Sequence, residues 1–117
     1  MEKVSYSDIS NWGLPNADHF SMRSARFMGE DQGLKSFWCG LSEYEPGGGI
    51  KFSGEDSPNE KVYYLIEGEL TLTDKDGNKT VLGPKDSIYR GPGDACSVEN
   101  TGTTTATMLV VVNVIPQ

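Results

Sequence analysis

The sequence predicts an all-β domain, and three observations carry that expectation. Short runs rich in Val, Ile, Thr, Tyr and Phe recur along the chain, clusters of Gly, Pro, Asn and Asp separate them at near-regular intervals, and no segment sustains the apolar period of a long helix. About nine short strands joined by turn chemistry is the pattern of β-sandwiches and β-barrels. A chain of 117 residues has room for one such domain and one core.

The elements follow in order. Met1 to Asn16 mixes Ser5, Ser7, Asp8, Ser10 and Asn11 with isolated apolar residues before Pro15, so residues 1–17 are expected to form an arm. One helical turn near Ser7–Asn11, capped by Ser7, is its only predicted structure, and Trp12 is expected to anchor it on the barrel or on a partner subunit. The barrel domain then occupies 18–117. Asp18–Met28 alternates as a strand, and Glu30-Asp31-Gln32-Gly33 is a turn. In the next predicted strand, Leu34–Glu45, Trp38 shares a face with the small residues Ser36, Gly40 and Ser42, while Phe37, Cys39 and Leu41 form the opposite, apolar face. The apolar face is expected in the inter-sheet core or a subunit interface, which leaves Trp38 on the pocket wall. Pro46 and Gly47-Gly48-Gly49 are expected to end this strand.

Val62–Ile66 is β-branched or aromatic apart from one leucine, and Leu70 and Leu72 lead to the hairpin turn Asp76-Gly77. Lys79–Leu82, Asp86–Arg90 and Cys96–Glu99 are short strands separated by Gly83-Pro84 and Gly91-Pro92-Gly93-Asp94. Thr104–Ile115 is a long strand ended by Pro116. Its centre, Met108-Leu109-Val110-Val111-Val112, is apolar on both faces and must be covered on both.

Charge narrows the partners. Seventeen acidic against ten basic residues give a formal net charge of −7, which opposes binding to nucleic acid or to an anionic membrane surface. The first residues lack the apolar core of a signal peptide, so a cytoplasmic protein is expected, with Cys39 and Cys96 read as thiols and Cys39 as a small buried hydrophobe. No phosphate-binding glycine loop or nucleophile elbow is present.

Gly49, Glu55, Ser57, Lys61 and Gly68 stand at intervals of five, one, three and six intervening residues. This spacing resembles the first motif of the cupins, G-x5-H-x-H-x3-E-x6-G, with Gly49 and Gly68 in place. Glu55 and Ser57 occupy the two histidine positions and Lys61 the glutamate position. The second cupin motif, G-x5-P-x-G-x2-H-x3-N, lies over Lys85–Asn100, with Gly93 and Asn100 matching, Lys85 and Gly91 in the first glycine and proline places, and Cys96 in the histidine place. The resemblance implies a small double-stranded jelly-roll barrel with a pocket between its sheets and a homodimer built by packing sheets and exchanging N-terminal strands, the alternative being that the N-terminal arm covers Thr104–Ile115 within one subunit. It also implies that the usual metal is not held: the inherited positions offer one carboxylate, one hydroxyl, one amine and one thiol, and an ammonium repels a cation. A metal site would need Glu55, Asp56, Glu60 and Cys96 to regroup, with His19 contributing.

On this resemblance Lys61, Glu55 and Cys96 converge at the pocket as the catalytic cluster. Lys61 is either paired with Glu55 as a charged oxyanion ligand or desolvated beside Tyr63 and Leu65 as a neutral amine. Cys96 beside the ammonium would have a lowered pKa and act as a second proton carrier. Tyr63 faces inward if Lys61 does, with Val62, Tyr64 and Ile66 outside. His19, the one histidine, is a further acid/base candidate, and Trp38, Ser57, Glu60 and Arg26 are candidate substrate-binding residues. Lys85 and Arg90 are expected to be solvated. The functional expectation is a metal-independent enzyme of lyase or isomerase type acting on a compact polar or anionic metabolite, with no cofactor. A non-catalytic metabolite-binding module and an accessory subunit of a larger enzyme remain open.

Overall fold

The computed structural model describes residues 1–115, so the predicted stop at Pro116 lies outside the described residues. Eight strands form: β1 (His19–Met28), β2 (Phe37–Ser53), β3 (Lys61–Glu67), β4 (Leu70–Asp74), β5 (Lys79–Leu82), β6 (Ser87–Arg90), β7 (Cys96–Glu99) and β8 (Ala106–Asn113). The only helical pieces described are single 3-10 turns at Tyr6–Asp8 and Glu30–Gln32. The first starts earlier than the sequence suggests, after Ser5, and Ser7 lies inside it. Among the described residues no helix is long and apolar enough to cross a membrane.

All pairings are antiparallel, in the order β5-β4-β7-β2-β8-β3-β6 with β1 added along β2. The result is a small jelly roll. Its organising element is β2, which does not end at Pro46 as expected but continues through the glycines to Ser53. Its first half pairs with β8, and its second half, Gly49–Ser53, pairs with β7, so one strand belongs to both sheets. The glycines make that crossing possible. Gly47 takes φ +82°, and a side chain at Gly48 or Gly49 would overlap the carbonyl oxygen of Ser21 or Val98 respectively. Here glycine permits close backbone approach at a corner, and terminates nothing.

The two inner faces bury Tyr44, Leu65, Leu70, Leu72, Leu82, Val98, Ala106 and Met108. Asn100, the asparagine of the second motif, closes one end of this core. Its side chain donates to the carbonyls of Tyr44 and Thr104 and accepts from the Gly102 N–H, so a buried polar residue satisfies one backbone group of β2 and two of the loop before β8. Outside, Phe37, Val62, Tyr64 and Ile66 are exposed and Cys39 and Leu41 half-buried. The expected burial of Cys39 and of the Phe37 face within the core does not occur, because this face of β2 points away from the second sheet.

Candidate active site

The register of the larger sheet builds the site row by row. Trp38, Val112 and Lys61 stand side by side across β2, β8 and β3, and Arg90 of β6 stands opposite Lys61. The next inward row is Arg26, Gly40, Val110, Tyr63 and Ile88, and the row below it is Ser24, Ser42, Met108 and Leu65. Tyr44 lies deepest, opposite Met22 and Ala106. These rows wall a cavity of about 570 Å³ whose lining includes His19, Trp38, Arg26, Lys61, Tyr63 and Tyr44. Asn11, Gly13, Leu14 and Pro15 of the N-terminal arm complete its rim. The arm is held there by a bridge between Gly13 and Ser24, by the Asn11 amide donating to the Arg26 carbonyl at 3.0 Å, and by Trp12 under the Arg23 guanidinium at 4.2 Å.

Lys61 is half-buried and, among the described residues, has no carboxylate within ion-pair distance, the one ion pair described being Arg23–Glu43. Burial lowers its pKa, and the guanidinium of Arg90 on the adjacent strand lowers it further. Of the two arrangements expected for Lys61, the carboxylate pair is not formed, and the pKa shift runs in the direction that desolvation gives. His19 lies at the start of β1 against the same cavity. Asn16 Oδ1 already accepts the Asp18 N–H, so the 2.8 Å contact from His19 Nδ1 to that oxygen is an N–H donation that leaves Nε2 as the free, basic nitrogen. Burial, and then the Lys61 charge, push the His19 pKa down against the pull of Asp18.

Tyr63 is buried, as its parity with Lys61 predicts, and its hydroxyl oxygen accepts a 2.8 Å hydrogen bond from Arg90 Nη1. Arg90 itself corrects an expectation. Instead of a solvated charge it is a buried cation, 8% exposed, held by Tyr63 and by the carbonyls of Ser53 and Asp94. Trp38 stands on the cavity wall with the Arg26 guanidinium 3.9 Å from its ring centroid, and Gly40 leaves the room its indole needs.

The other candidates fall elsewhere. Glu55 is exposed in the turn after β2 and lines a second cavity together with Cys96 and Arg90, so the expected Lys61–Glu55 pair is not formed. The loop takes this course because Gly54, at φ +105°, turns the chain outward one residue before the position that the motif would aim inward. Ser57 accepts the Asn59 N–H, and Glu60 lies on the outside accepting the Tyr89 hydroxyl at 2.6 Å. Cys96 is in the hydrophobic core, where burial raises its pKa and outweighs the lowering by Arg90 and Lys61. The expected low-pKa thiol is therefore replaced by a protonated, buried one.

The metal of the resemblance does not fit these residues. Among the described residues no three of His, Cys, Asp or Glu gather as a ligand set, and the one inherited position lining the main cavity is a lysine. Asp56 and Glu60 do not regroup with Glu55 and Cys96.

A family model, described as the cupin domain, matches residues 40–112. The chain is a cupin. Over 97 residues this cupin is 38% identical to a protein of Mycobacterium tuberculosis named beta-D-galactosidase, a match covering 80% of this chain and 79% of that one. Its fold is shared with a polyketide cyclase of Streptomyces resistomycificus (TM-score 0.86, 20% identity, 97% of this chain and 79% of that one). A sugar phosphate isomerase from Silicibacter pomeroyi shares it too (TM-score 0.80, 24% identity, 98% and 77% covered). So does a predicted oxalate decarboxylase from Thermotoga maritima (TM-score 0.81, 20% identity, 97% and 100% covered).

Two participants escape sequence reasoning in different ways. Tyr44 has the parity of Trp38, Gly40 and Ser42, so its inward orientation was available from the alternation of β2. Arg90 was not, since its burial depends on β6 lying beside β3, a pairing between strands that are not consecutive.

Proposed function

We propose that this cupin is a small-molecule-converting enzyme of isomerase or lyase type that works by proton transfer in the inter-sheet cavity on a compact, sugar-sized hydroxy-carbonyl substrate. The observation that carries the reading is the presence of Lys61 and His19 in the lining of one cavity, each with its pKa lowered, Lys61 by burial and then by Arg90, and His19 by burial and by the Lys61 charge. One of them takes the proton from a carbon next to the substrate carbonyl, and the carbonyl oxygen gains a hydrogen bond from Tyr63. Return of the proton to a neighbouring carbon is isomerisation; loss of a leaving group from the next carbon is elimination. Lys61 as a neutral amine is equally suited to add to the carbonyl. The flat face of Trp38 supplies a stacking surface for a ring or an extended polyol.

A second reading, cleavage of β-galactosides, is favoured by the 38% identity to the galactosidase-named protein. Among the described residues the cavity lining holds no carboxylate, whereas most glycoside hydrolases rely on two, so Lys61, His19 or a tyrosine would have to carry that chemistry.

One experiment separates the readings. The protein is incubated in D2O with a panel of aldoses, ketoses and hydroxy acids and with a chromogenic β-galactoside, and the products are followed by proton NMR. Proton transfer predicts deuterium entering a substrate at the carbon beside the carbonyl. Release of galactose without such exchange would establish the hydrolytic reading in its place. Thermal shifts with neither product would make the protein a binding module.

A further inference from the structure

The deepest polar group of the cavity is the hydroxyl of Tyr44. Its residue is 0% exposed, it lines the cavity, and the hydroxyl is the one buried side-chain polar atom described that has no hydrogen-bond partner. An orphaned buried hydroxyl carries a desolvation cost that folds avoid unless something else satisfies it. Ser42 is the polar side chain near enough to influence it, but the Ser42 hydroxyl is already engaged with Ser24 at 2.8 Å, and Ile50, Met108, Ala106 and Leu65 of the surrounding core are apolar. Tyr63 presents the complementary case. Arg90 donates into its oxygen, so that oxygen is already an acceptor, and no protein acceptor is described for its own O–H. Two phenolic protons on the wall of one cavity thus lack a protein acceptor.

We infer that Tyr44 and Tyr63 form a two-hydroxyl receptor for a substrate oxyanion, a carboxylate or enolate oxygen, with Arg90 as the positioning residue that turns the Tyr63 proton toward the cavity. The inference rests on the proton-transfer reading above, and it names the substrate class as one that carries or develops negative charge on oxygen. Burial pushes both phenols to higher pKa, so both stay protonated donors through neutral pH, and Arg90 offsets part of that rise at Tyr63. Donors fixed in an apolar cavity are placed before charge develops and need no reorganisation when it does. The Arg90 charge, buried without a carboxylate partner among the described residues, adds an attraction that a neutral substrate could not use.

The test uses 4-nitrophenolate as the oxyanion probe and nitrobenzene as a probe of the same shape without the oxygen charge. Hydrogen bonds to a charged group predict that Tyr44→Phe and Tyr63→Phe each weaken 4-nitrophenolate binding by roughly tenfold to a hundredfold, with nitrobenzene binding unchanged. Tyr44→Phe should also raise Tm by a few degrees, since it removes an unsatisfied buried group and leaves the ring in place. This combination of weaker binding with higher stability is not what a structural hydroxyl would give. Should Tyr63→Phe fail to fold, having left Arg90 without that acceptor, Tyr44→Phe carries the test alone. Unchanged 4-nitrophenolate affinity in Tyr44→Phe, a lowered Tm in that variant, or no binding to the unaltered protein would each overturn the receptor. The two proposals also fail separately. Tyrosine-dependent phenolate binding without any deuterium exchange would overturn the proton-transfer reading and leave the receptor standing; exchange with tyrosine-independent binding would do the reverse.

Discussion

Turnover is expected to fall by at least about a hundredfold when Lys61 is replaced by methionine, the lower end of what a positioned acid/base group contributes. Methionine keeps the length and the apolar stem, so the cavity wall is preserved while the amine is removed. Folding should survive. Burial and Arg90 hold the folded-state pKa of Lys61 below its unfolded value, which fixes the sign of its effect on stability. Between the two values the unfolded chain binds more protons than the folded one, so Lys61 favours folding fully only above the unfolded value and progressively less as pH falls through the folded one. Lys61→Met should therefore match the unaltered protein in Tm at high pH and exceed it as pH is lowered. The activity profile should change in parallel. The unaltered protein gains kcat/KM with rising pH as its bases lose their protons, and the variant should keep only the portion due to His19. A variant with normal turnover would mean that the working groups are others, with His19, Glu60 and Arg26 the next to replace.

A second large effect is expected at Gly49, this time on the fold. Its added Cβ in Gly49→Ala would overlap the Val98 carbonyl oxygen, a backbone atom held in the β2–β7 pairing at Ile50↔Val98. Neither strand has a flexible end to yield. A loss of more than about 3 kcal/mol in denaturant unfolding, or failure to fold, is the expected outcome, beyond the usual range of overpacking because backbone has to move. Gly13→Ala is the control, since a Cβ there meets nothing within 4 Å. Equal stabilities for the two variants would show that β2 does not cross between the sheets as described.

That crossing also marks how far the sequence could be read. Alternation alone gave the strand positions, the inward Tyr63 and the outward Val62, Tyr64 and Ile66, because side-chain period is a local property. The same local reasoning misled at Pro46–Gly49. Glycine there marks close approach by Ser21 and Val98, residues distant in sequence, and no local rule distinguishes that from a stop. The motif spacing located Lys61 correctly on the inner face, since strand registry fixes it, but failed for Glu55, which belongs to a loop free to take another course. Cys96 shows a third limit. Its position was right for a core strand, yet its pKa is governed by how much apolar surface surrounds it, a quantity that only the assembled barrel defines.

The central claim is that the cavity works through an unpaired, desolvated amine, and the protonation of Lys61 tests it most directly. With lysine labelled with 13C at Cε, the Lys61 resonance is assigned by its loss in Lys61→Met and followed by NMR as pH is raised. The account predicts a midpoint below the ordinary lysine value, with the free base accumulating before an exposed lysine would release its proton. A midpoint at or above the ordinary value would contradict it, since Lys61 would then be a partnered ammonium and not a base.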